Sequence, residues 1–235
     1  YNPGNPNLQA YAASLGLAAV GTPPTPSALE SLIQQSNSYL DAALFRTRQG
    51  WVETAVCRIK VDGIPAGTGF LVGPATVLTN YHVLPHVIAG DVAPSAVTCQ
   101  FDYKQLPGGQ PVSQGVEVGL AGEGTWLIAA AQPTAEELAG IAKTVLPGLD
   151  ELDFALLQLE RDIATVSLGM ETPVTGKNSD EPQRAWLAFA AGCEFAPNSP
   201  LWIMQHPKAL PLKLALATNS VEQLNQNKTR VTYRT

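Results

Sequence analysis

The sequence predicts an all-β fold, built as an antiparallel barrel or sandwich, and three observations support that prediction. Glycine and proline together supply 39 of the 235 residues, whereas an average chain has about 12% of the two, so many turns are expected. Several short runs alternate apolar and polar residues, which is the period of a strand with one buried face. Turn residues separate these runs at the intervals of roughly eight to twelve residues that are typical of barrels and sandwiches.

A helix is predicted ahead of the strands. Ser27 and Glu30 stand three residues apart as a capping box. Apolar residues then recur at helical spacing as far as Leu44, and Gly50 is expected to end the element. These signals predict one helix over 28–48. They divide the chain into a linker over 1–26, a helical lead-in over 27–50 and a β domain over 51–235.

The period changes to that of a strand after Trp51. In 56–61, positions 57, 59 and 61 share one apolar face, while Arg58 and Lys60 point outward. Asp62-Gly63 is a hairpin turn that leads to a returning strand over 66–72. A turn at Gly73-Pro74 leads to a third strand over 76–81. The next alternating run, 97–101, predicts a fourth strand.

The second half of the chain gives fewer signals. Thr134 and Glu137 form another capping box, which predicts a helix that runs to about Val145, before Pro147 and Gly148. An apolar strand is predicted over 153–159, followed by a polar loop over 170–183. Strands are expected to resume near three later residues: Trp186, Trp202 and Val221.

Charge and cysteine content exclude several classes of partner. The formal net charge is -6, and no run of Lys or Arg exceeds two residues, so neither nucleic acid nor an anionic membrane is an expected partner. A transmembrane helix in the uncharged stretch 63–90 is excluded by its three prolines. The three cysteines are an odd number at wide spacing, which favours reduced thiols and a cytoplasmic location. The first twenty residues lack Lys and Arg, which argues against a signal peptide.

His82 and Asp153 are the candidate catalytic residues. His82 is expected at the end of the third strand, where a rigid rim would hold a general base against a substrate; the alternative is a structural histidine. Asp153 opens an apolar strand and needs a partner there, because burying an unpaired carboxylate is costly. An imidazole Nδ1–H would serve as that partner, and the alternative is an aspartate that caps a loop.

Two other chemistries are weaker candidates. His82 and His86 have a metal-ligand spacing, but Pro85 lies between them, and His206 is the one histidine left in the sequence. We therefore expect no metal site, and we expect His206 to be structural. We expect all three cysteines, Cys57, Cys99 and Cys193, to be small buried hydrophobes.

Four segments together resemble the trypsin-like serine peptidases of the bacterial cytoplasm: GTGFLVGP at 67–74, LTNYHV at 78–83, LDFALL at 152–157 and MQHP at 204–207. The resemblance covers about 51–235 and keeps the order His then Asp. It implies two antiparallel six-stranded β-barrels, with the second barrel incomplete here and a helix ahead of the first. It also implies hydrolysis of a protein or peptide substrate by a serine nucleophile, with His82 as general base and Asp153 as its orienting partner.

The resemblance breaks at the nucleophile. The family carries its serine in a Gly-x-Ser-Gly motif after the hairpin that corresponds to 221–233, and no glycine of this sequence is followed two residues later by serine. Three explanations are open. The first is that the serine lies in a C-terminal segment outside this sequence, which we favour because the family pattern continues to the last residues. The second is that the chain is a pseudo-protease that binds peptides without cutting them. The third is that another residue, such as Cys193, is the nucleophile. On the first two explanations, residues 1–235 alone are inactive.

The resemblance also implies a cellular setting. Asn2-Pro3-Gly4-Asn5-Pro6 is similar to the tail of effector-associated adaptor domains that are fused upstream of such peptidases. It implies an upstream signalling partner, bound through an adaptor, in a bacterial defence pathway. No metal or organic cofactor is implied.

Overall fold

The computed structural model describes residues 41–140, 146–164, 184, 186–189, 195, 201–217 and 221–233. Three α-helices lie in these ranges: α1 (Ala42–Ala55), α2 (Pro85–Ile88) and α3 (Ala135–Leu138). The strands of the first half are β1 (Val56–Val61), β2 (Ile64–Gly73), β3 (Thr76–Thr79), β4 (Val97–Phe101), β5 (Lys104–Gln105), β6 (Pro111–Ser113), β7 (Val116–Gly119), β8 (Leu127–Ala131) and β9 (Phe154–Gln158). Those of the second half are β10 (Leu201–Gln205), β11 (Lys213–Ala217), β12 (Val221–Leu224) and β13 (Val231–Tyr233).

The helix before the strands exists, but its predicted bounds were wrong. Helix α1 starts at the N-cap Asp41, whose side chain accepts a hydrogen bond from the Leu44 N–H at 2.7 Å. It runs through Gly50 to Ala55, because the buried residues Thr54 and Ala55 hold the last turn against the core. That burial outweighs a glycine penalty of about 1 kcal/mol. The Ser27 capping box and the predicted turns before residue 41 lie outside the described residues.

A seven-stranded antiparallel sheet forms the first half, in the order β7-β4-β1-β2-β3-β9-β8. The turn between β1 and β2 is the predicted Asp62-Gly63 pair, and both residues have the positive φ of a type I′ turn, 50° and 74°. The sheet curls until the ends of β7 and β9 meet, where Leu120 pairs with Leu159. The Ala121 N–H also donates to the Gln158 carbonyl at 2.9 Å. This is the all-β, barrel-type architecture that the sequence predicts.

The core lies inside the curled sheet, and the alternation in the sequence predicted it. Val97, Cys99 and Phe101 are fully buried, as are Cys57 and Ile59 on the neighbouring strand. Thr98 points away from this core as expected, whereas Gln100 is buried. The Gln100 amide is held there by Arg58 on one side and by the carbonyl of Gln114 at 2.7 Å on the other.

One glycine of β2 is required by the tight packing of this core. A Cβ at Gly69 would lie 2.8 Å from Val77 Cγ1 and 2.9 Å from Cys57 Sγ. Distances that short are clashes, so the second glycine of the GTG run lets β2 lie against its neighbours.

The second helix and one later strand differ from the prediction. Helix α3 begins with the predicted capping box at Thr134, but it ends at Leu138 rather than near Val145. The chain turns away at Gly140, which adopts a left-handed φ of 70° that glycine reaches without strain. Residues 186–189, where a strand was expected, form none.

The described residues of the second half form two hairpins, β10 with β11 and β12 with β13, in separate two-stranded sheets. The hairpin over 221–233 is the predicted one. These hairpins fit a second barrel that is incomplete in the described ranges. Among the described helices, none is long and apolar enough to cross a membrane.

Candidate active site

His82 lies directly after β3 and not within it. The strand ends at Thr79, and Tyr81–Val83 forms a 3₁₀ turn, which corrects the predicted strand over 76–81. The turn is anchored on both sides, because Thr79 and Leu84 are buried and the Thr79 hydroxyl donates to the Thr68 carbonyl at 2.8 Å. The His82 side chain between these anchors is 57% exposed, so the turn presents it to solvent.

Asp153 lies one residue before β9, and β9 is the strand that pairs with β3. The antiparallel register places Thr79 opposite Ala155, so the residues that flank these two strands meet at the same end of the sheet. Asp153 itself has a φ of 54°, a left-handed conformation that is uncommon for a residue other than glycine. Such conformations persist only where the surroundings enforce them.

The structure brings the two candidate residues into contact across 71 positions of sequence. His82 Nδ1 lies 2.8 Å from Asp153 Oδ2, and the His82 backbone N–H donates to Asp153 Oδ1 at 3.1 Å. Because an ionised carboxylate can only accept hydrogen bonds, Nδ1 carries the ring proton and Nε2 keeps its lone pair. This arrangement leaves Nε2 as the nitrogen able to take a proton from a third group.

Asn80 completes the cluster, and the sequence did not single it out. Its side-chain Nδ2 donates to the Asp153 carbonyl at 3.0 Å and to Asp153 Oδ2 at 3.2 Å. One amide therefore holds both the backbone and the carboxylate of Asp153. The only signal in the sequence was its place two residues before His82.

The other two histidines lie elsewhere. The exposed His86 pairs with Asp91 at 3.1 Å and not with His82. In the part of the chain that the structure describes, no group of three or more His, Cys, Asp or Glu residues is arranged to hold a metal ion. The two rings contact different carboxylates, His82 that of Asp153 and His86 that of Asp91.

His206 is built into the core, where it joins the two halves. It is 3% exposed, its Nδ1 lies 2.8 Å from the Leu210 carbonyl, and its backbone N–H donates to Thr68 Oγ1 at 3.0 Å. Burial, followed by the nearby charge of Arg58, lowers the pKa of His206 to about 4, although the Leu210 carbonyl opposes this. The ring is therefore neutral at physiological pH, which agrees with the structural role expected for it.

The structure also contains a buried ion pair, Arg184 with Asp102, that the sequence did not predict. Arg184 donates to both carboxylate oxygens of Asp102, at 2.7 and 3.2 Å, and to the Thr54 carbonyl at 2.6 Å. Both side chains are at most 5% exposed. The pair fastens the end of α1 to the turn after β4.

Two of the three cysteines lie in the described ranges, where both are free and buried, as expected. Burial and the neighbouring Cys99 raise the pKa of the Cys57 thiol well above its usual range. Such a thiol stays protonated and is a poor nucleophile. Cys193, the alternative nucleophile, lies outside the described residues.

The family model described as "Trypsin-like peptidase domain" matches residues 67–235, which include both His82 and Asp153. No curated protein sequence matches the chain significantly.

Solved structures of low identity resemble the fold. One is a scabies mite inactivated protease paralogue, at 15% identity and a TM-score of 0.45, with 76% of this chain and 65% of that chain covered. Another is Deg5, at 11% identity and a TM-score of 0.40, with 83% of this chain and 72% of that chain covered. The chain thus spans slightly less than two thirds of the first of these structures.

Proposed function

Because this chain belongs to the trypsin-like peptidase domain family, we propose that it is a serine endopeptidase with His82 as its general base and Asp153 as the residue that orients the base. The observation that carries this proposal is the 2.8 Å contact between His82 Nδ1 and Asp153 Oδ2. It supports the proposal because a general base needs one ring nitrogen held and the other free. Asn80 supports it further, since it holds the carboxylate in place.

The proposed reaction follows from that arrangement. His82 Nε2 takes the proton of a serine hydroxyl as its oxygen attacks the peptide carbonyl, and the imidazolium that forms is stabilised by the Asp153 carboxylate. The imidazolium then gives the proton to the leaving amine as the C–N bond breaks, which leaves an acyl-enzyme. Water repeats the sequence with His82 as base, and the serine is released.

The serine itself is proposed to lie in a segment that follows the β12–β13 hairpin. Within the 235 residues there is neither a Gly-x-Ser-Gly nor a Gly-x-Ser-x-Gly motif. We accordingly expect residues 1–235 alone to form no acyl-enzyme. The peptidase domain is proposed to occupy 51–235 together with that segment, behind the linker over 1–26 and the lead-in over 27–50.

A fluorophosphonate probe tests the proposal, because it labels only an activated serine. We expect no labelling of the 235-residue chain and labelling of a form that continues through the next Gly-x-Ser-Gly motif. His82→Ala in the longer form should abolish the labelling, whereas His86→Ala should not. Labelling of the 235-residue chain, or labelling that survives His82→Ala, contradicts the proposal.

A second candidate function is a pseudo-protease that binds peptides without cutting them. The absence of the serine motif from the sequence favours it, and an extended peptide would still bind by adding a strand to a sheet edge. The natural gene product distinguishes the two functions. If its intact mass leaves no room for a serine segment, and if it binds peptides without cleavage, the pseudo-protease is the correct function.

We further propose a cytoplasmic setting in a bacterial defence pathway, with an upstream partner bound through an adaptor domain. The resemblance of residues 2–6 to an adaptor tail supports this, and so do the free thiols of Cys57 and Cys99. Co-purification from the native host checks it. An upstream partner should be lost when the region before residue 27 is deleted and kept when only the peptidase site is mutated.

A further inference from the structure

The β12–β13 hairpin contacts the loop that leads to Asp153. Its tip, residues 225–230, is closed by two bonds between Asn225 and Arg230: the Asn225 N–H donates to the Arg230 carbonyl at 3.0 Å, and Asn225 Oδ1 accepts the Arg230 N–H at 2.9 Å. Two side chains of this tip bond the same carbonyl of Pro147: Asn227 through its amide, and Thr229 through its hydroxyl at 3.2 Å. The tip is thus fastened to the start of the site loop, by which we mean residues 147–152.

Arg230 makes the strongest of these contacts. Its Nε and Nη2 donate to the two carboxylate oxygens of Glu137, both at 2.8 Å, and Nη2 also donates to the Glu151 carbonyl at 2.7 Å. Both side chains of the ion pair are less than 30% exposed. A two-pronged contact of this kind fixes direction as well as distance.

Glu137 is itself held in place. It is the third residue of α3 and completes the capping box with Thr134, because its carboxylate accepts the Thr134 N–H at 3.1 Å. Burial alone would raise the pKa of Glu137, but the bonds and charge of Arg230, together with the bonds to Thr134, lower it. Arg230 therefore joins three parts of the fold: the hairpin, the first turn of α3, and the site loop two residues before Asp153.

The site loop depends on such support. Within the loop, the Glu151 N–H donates to the Gly148 carbonyl at 3.3 Å, and the Gly148 N–H donates to the Glu151 carboxylate at 2.9 Å. Leu149 at its tip is 81% exposed, so side-chain burial does not fix the tip. Asp153, with its left-handed backbone conformation, follows this loop directly. Such a conformation persists only where the neighbouring backbone is held in place.

We propose that Arg230 is a positioning residue for Asp153: by holding the Glu151 carbonyl, it keeps the carboxylate of Asp153 aligned with His82 Nδ1. This inference rests on the function proposed above. It adds that the second half of the chain sets the geometry of a pair contributed wholly by the first half. In the proposed enzyme the same hairpin leads to the nucleophile, so one guanidinium would tie the acid of the triad to the strand that delivers the serine.

The tautomer of His82 tests the proposal without requiring catalysis. Long-range ¹H–¹⁵N spectra of histidine-labelled chain, recorded well above the ordinary pKa of histidine, distinguish Nδ1–H from Nε2–H rings. The sequence has three histidines, and His82→Gln assigns the signal. We expect only the Nδ1–H form in the wild-type chain and a mixture of both forms in Arg230→Met, which keeps the apolar stem. The matched control is Lys60→Met, which breaks the Lys60–Glu117 ion pair between β1 and β7 and should leave the pure Nδ1–H form.

Each outcome decides one question. A pure Nδ1–H form in Arg230→Met overturns the positioning role and leaves the proposed function standing. A wild-type ring that is not in the Nδ1–H form overturns both. If Arg230→Met does not fold, Arg230→Gln replaces it, because this variant also removes the guanidinium that holds the Glu151 carbonyl but keeps a polar end. A pure Nδ1–H form in Arg230→Gln then counts against the proposal.

Discussion

The contact between His82 and Asp153 depends on a carboxylate that accepts three N–H groups, from the His82 ring, the His82 backbone and Asn80. An amide in place of the carboxylate would accept at one atom only and would favour the other histidine tautomer. We therefore expect Asp153→Asn to lower kcat by about 10⁴-fold in the form that carries the nucleophile. Steady-state hydrolysis of a peptide ester measures this. Asp91→Asn, at the exposed partner of His86, should keep full activity, and equal losses in the two variants would contradict the role given to Asp153.

His206 makes the stability depend on pH in a defined window. Its pKa is about 4 in the folded chain and near the ordinary histidine value in the unfolded chain, so the unfolded chain binds more protons between these values. Stability should be constant above about pH 6.5 and should fall by about 2 kcal/mol by pH 5. Urea unfolding at both pH values measures the fall. It should disappear in His206→Gln and persist in His86→Gln.

At the scale of single residues, the sequence predicted the two candidate residues that the structure brings into contact, His82 and Asp153, but not the residues that hold them in place. His82 and Asp153 were found because each stands in a short motif of a known family. Asn80 and Arg230 act through partners that are far away in sequence, and single polar residues in turns follow no period that would predict such a contact. The same holds for Asp102 and Arg184, which meet across 82 positions.

The packing of β2 against β1 and β3 leaves no room for a methyl group at Gly69, whose Cβ would meet Val77, Cys57 and Ile59 within 3.1 Å. We expect Gly69→Ala to cost about 1–3 kcal/mol of unfolding free energy, since overpacking forces neighbours from their rotamers. Gly122→Ala is the control, because no heavy atom lies within 4 Å of its Cβ position. Denaturant midpoints compare the two, and equal midpoints would contradict this account of the core.

Strands were predicted better than helix ends. Alternation along 56–61 and 97–101 reports which face is buried, and burial is what the sheet requires. The end of α1 at Ala55 is instead set by tertiary contacts, because Thr54 and Ala55 are buried and Arg184 holds the Thr54 carbonyl. Local signals such as Gly50 cannot report contacts of that kind. The end of α3 at Leu138 was predictable from Gly140, but the prediction placed the end near Val145 because of Pro147.

Across the whole molecule, the Asp102–Arg184 pair is the most deeply buried ion pair among the described residues. Arg184→Met removes the charge and the two hydrogen bonds that Arg184 gives to the buried carboxylate of Asp102, so we expect it to cost about 3–5 kcal/mol of unfolding free energy. The double variant Asp102→Asn with Arg184→Met should be more stable than Arg184→Met alone, and asparagine tolerates the left-handed φ of 58° at that position. Urea unfolding of the wild-type chain, both single variants and the double variant gives the cycle.

The ion pair between Lys60 and Glu117, whose side chains are 14% and 43% exposed, is the control for that cycle. Lys60→Met should change the unfolding free energy by at most about 1 kcal/mol, because Glu117 remains in contact with water when its partner is removed. A loss in Arg184→Met as small as in Lys60→Met would show that the buried pair does not secure the fold. A double variant less stable than Arg184→Met would contradict the reason given for the cost.

The two core thiols are natural probes for the opening of the barrel. Cys57 and Cys99 lie on paired strands, both are fully buried, and the raised pKa of Cys57 keeps it protonated. An alkylating reagent therefore reaches them only after β1 and β4 have parted. The alkylation rate of Cys57 and Cys99 in native buffer, followed by mass spectrometry of their peptides, therefore measures how often the two strands separate. An alkylation rate above the global unfolding rate would show local opening of the barrel. Equal rates would show that the strands separate only in global unfolding.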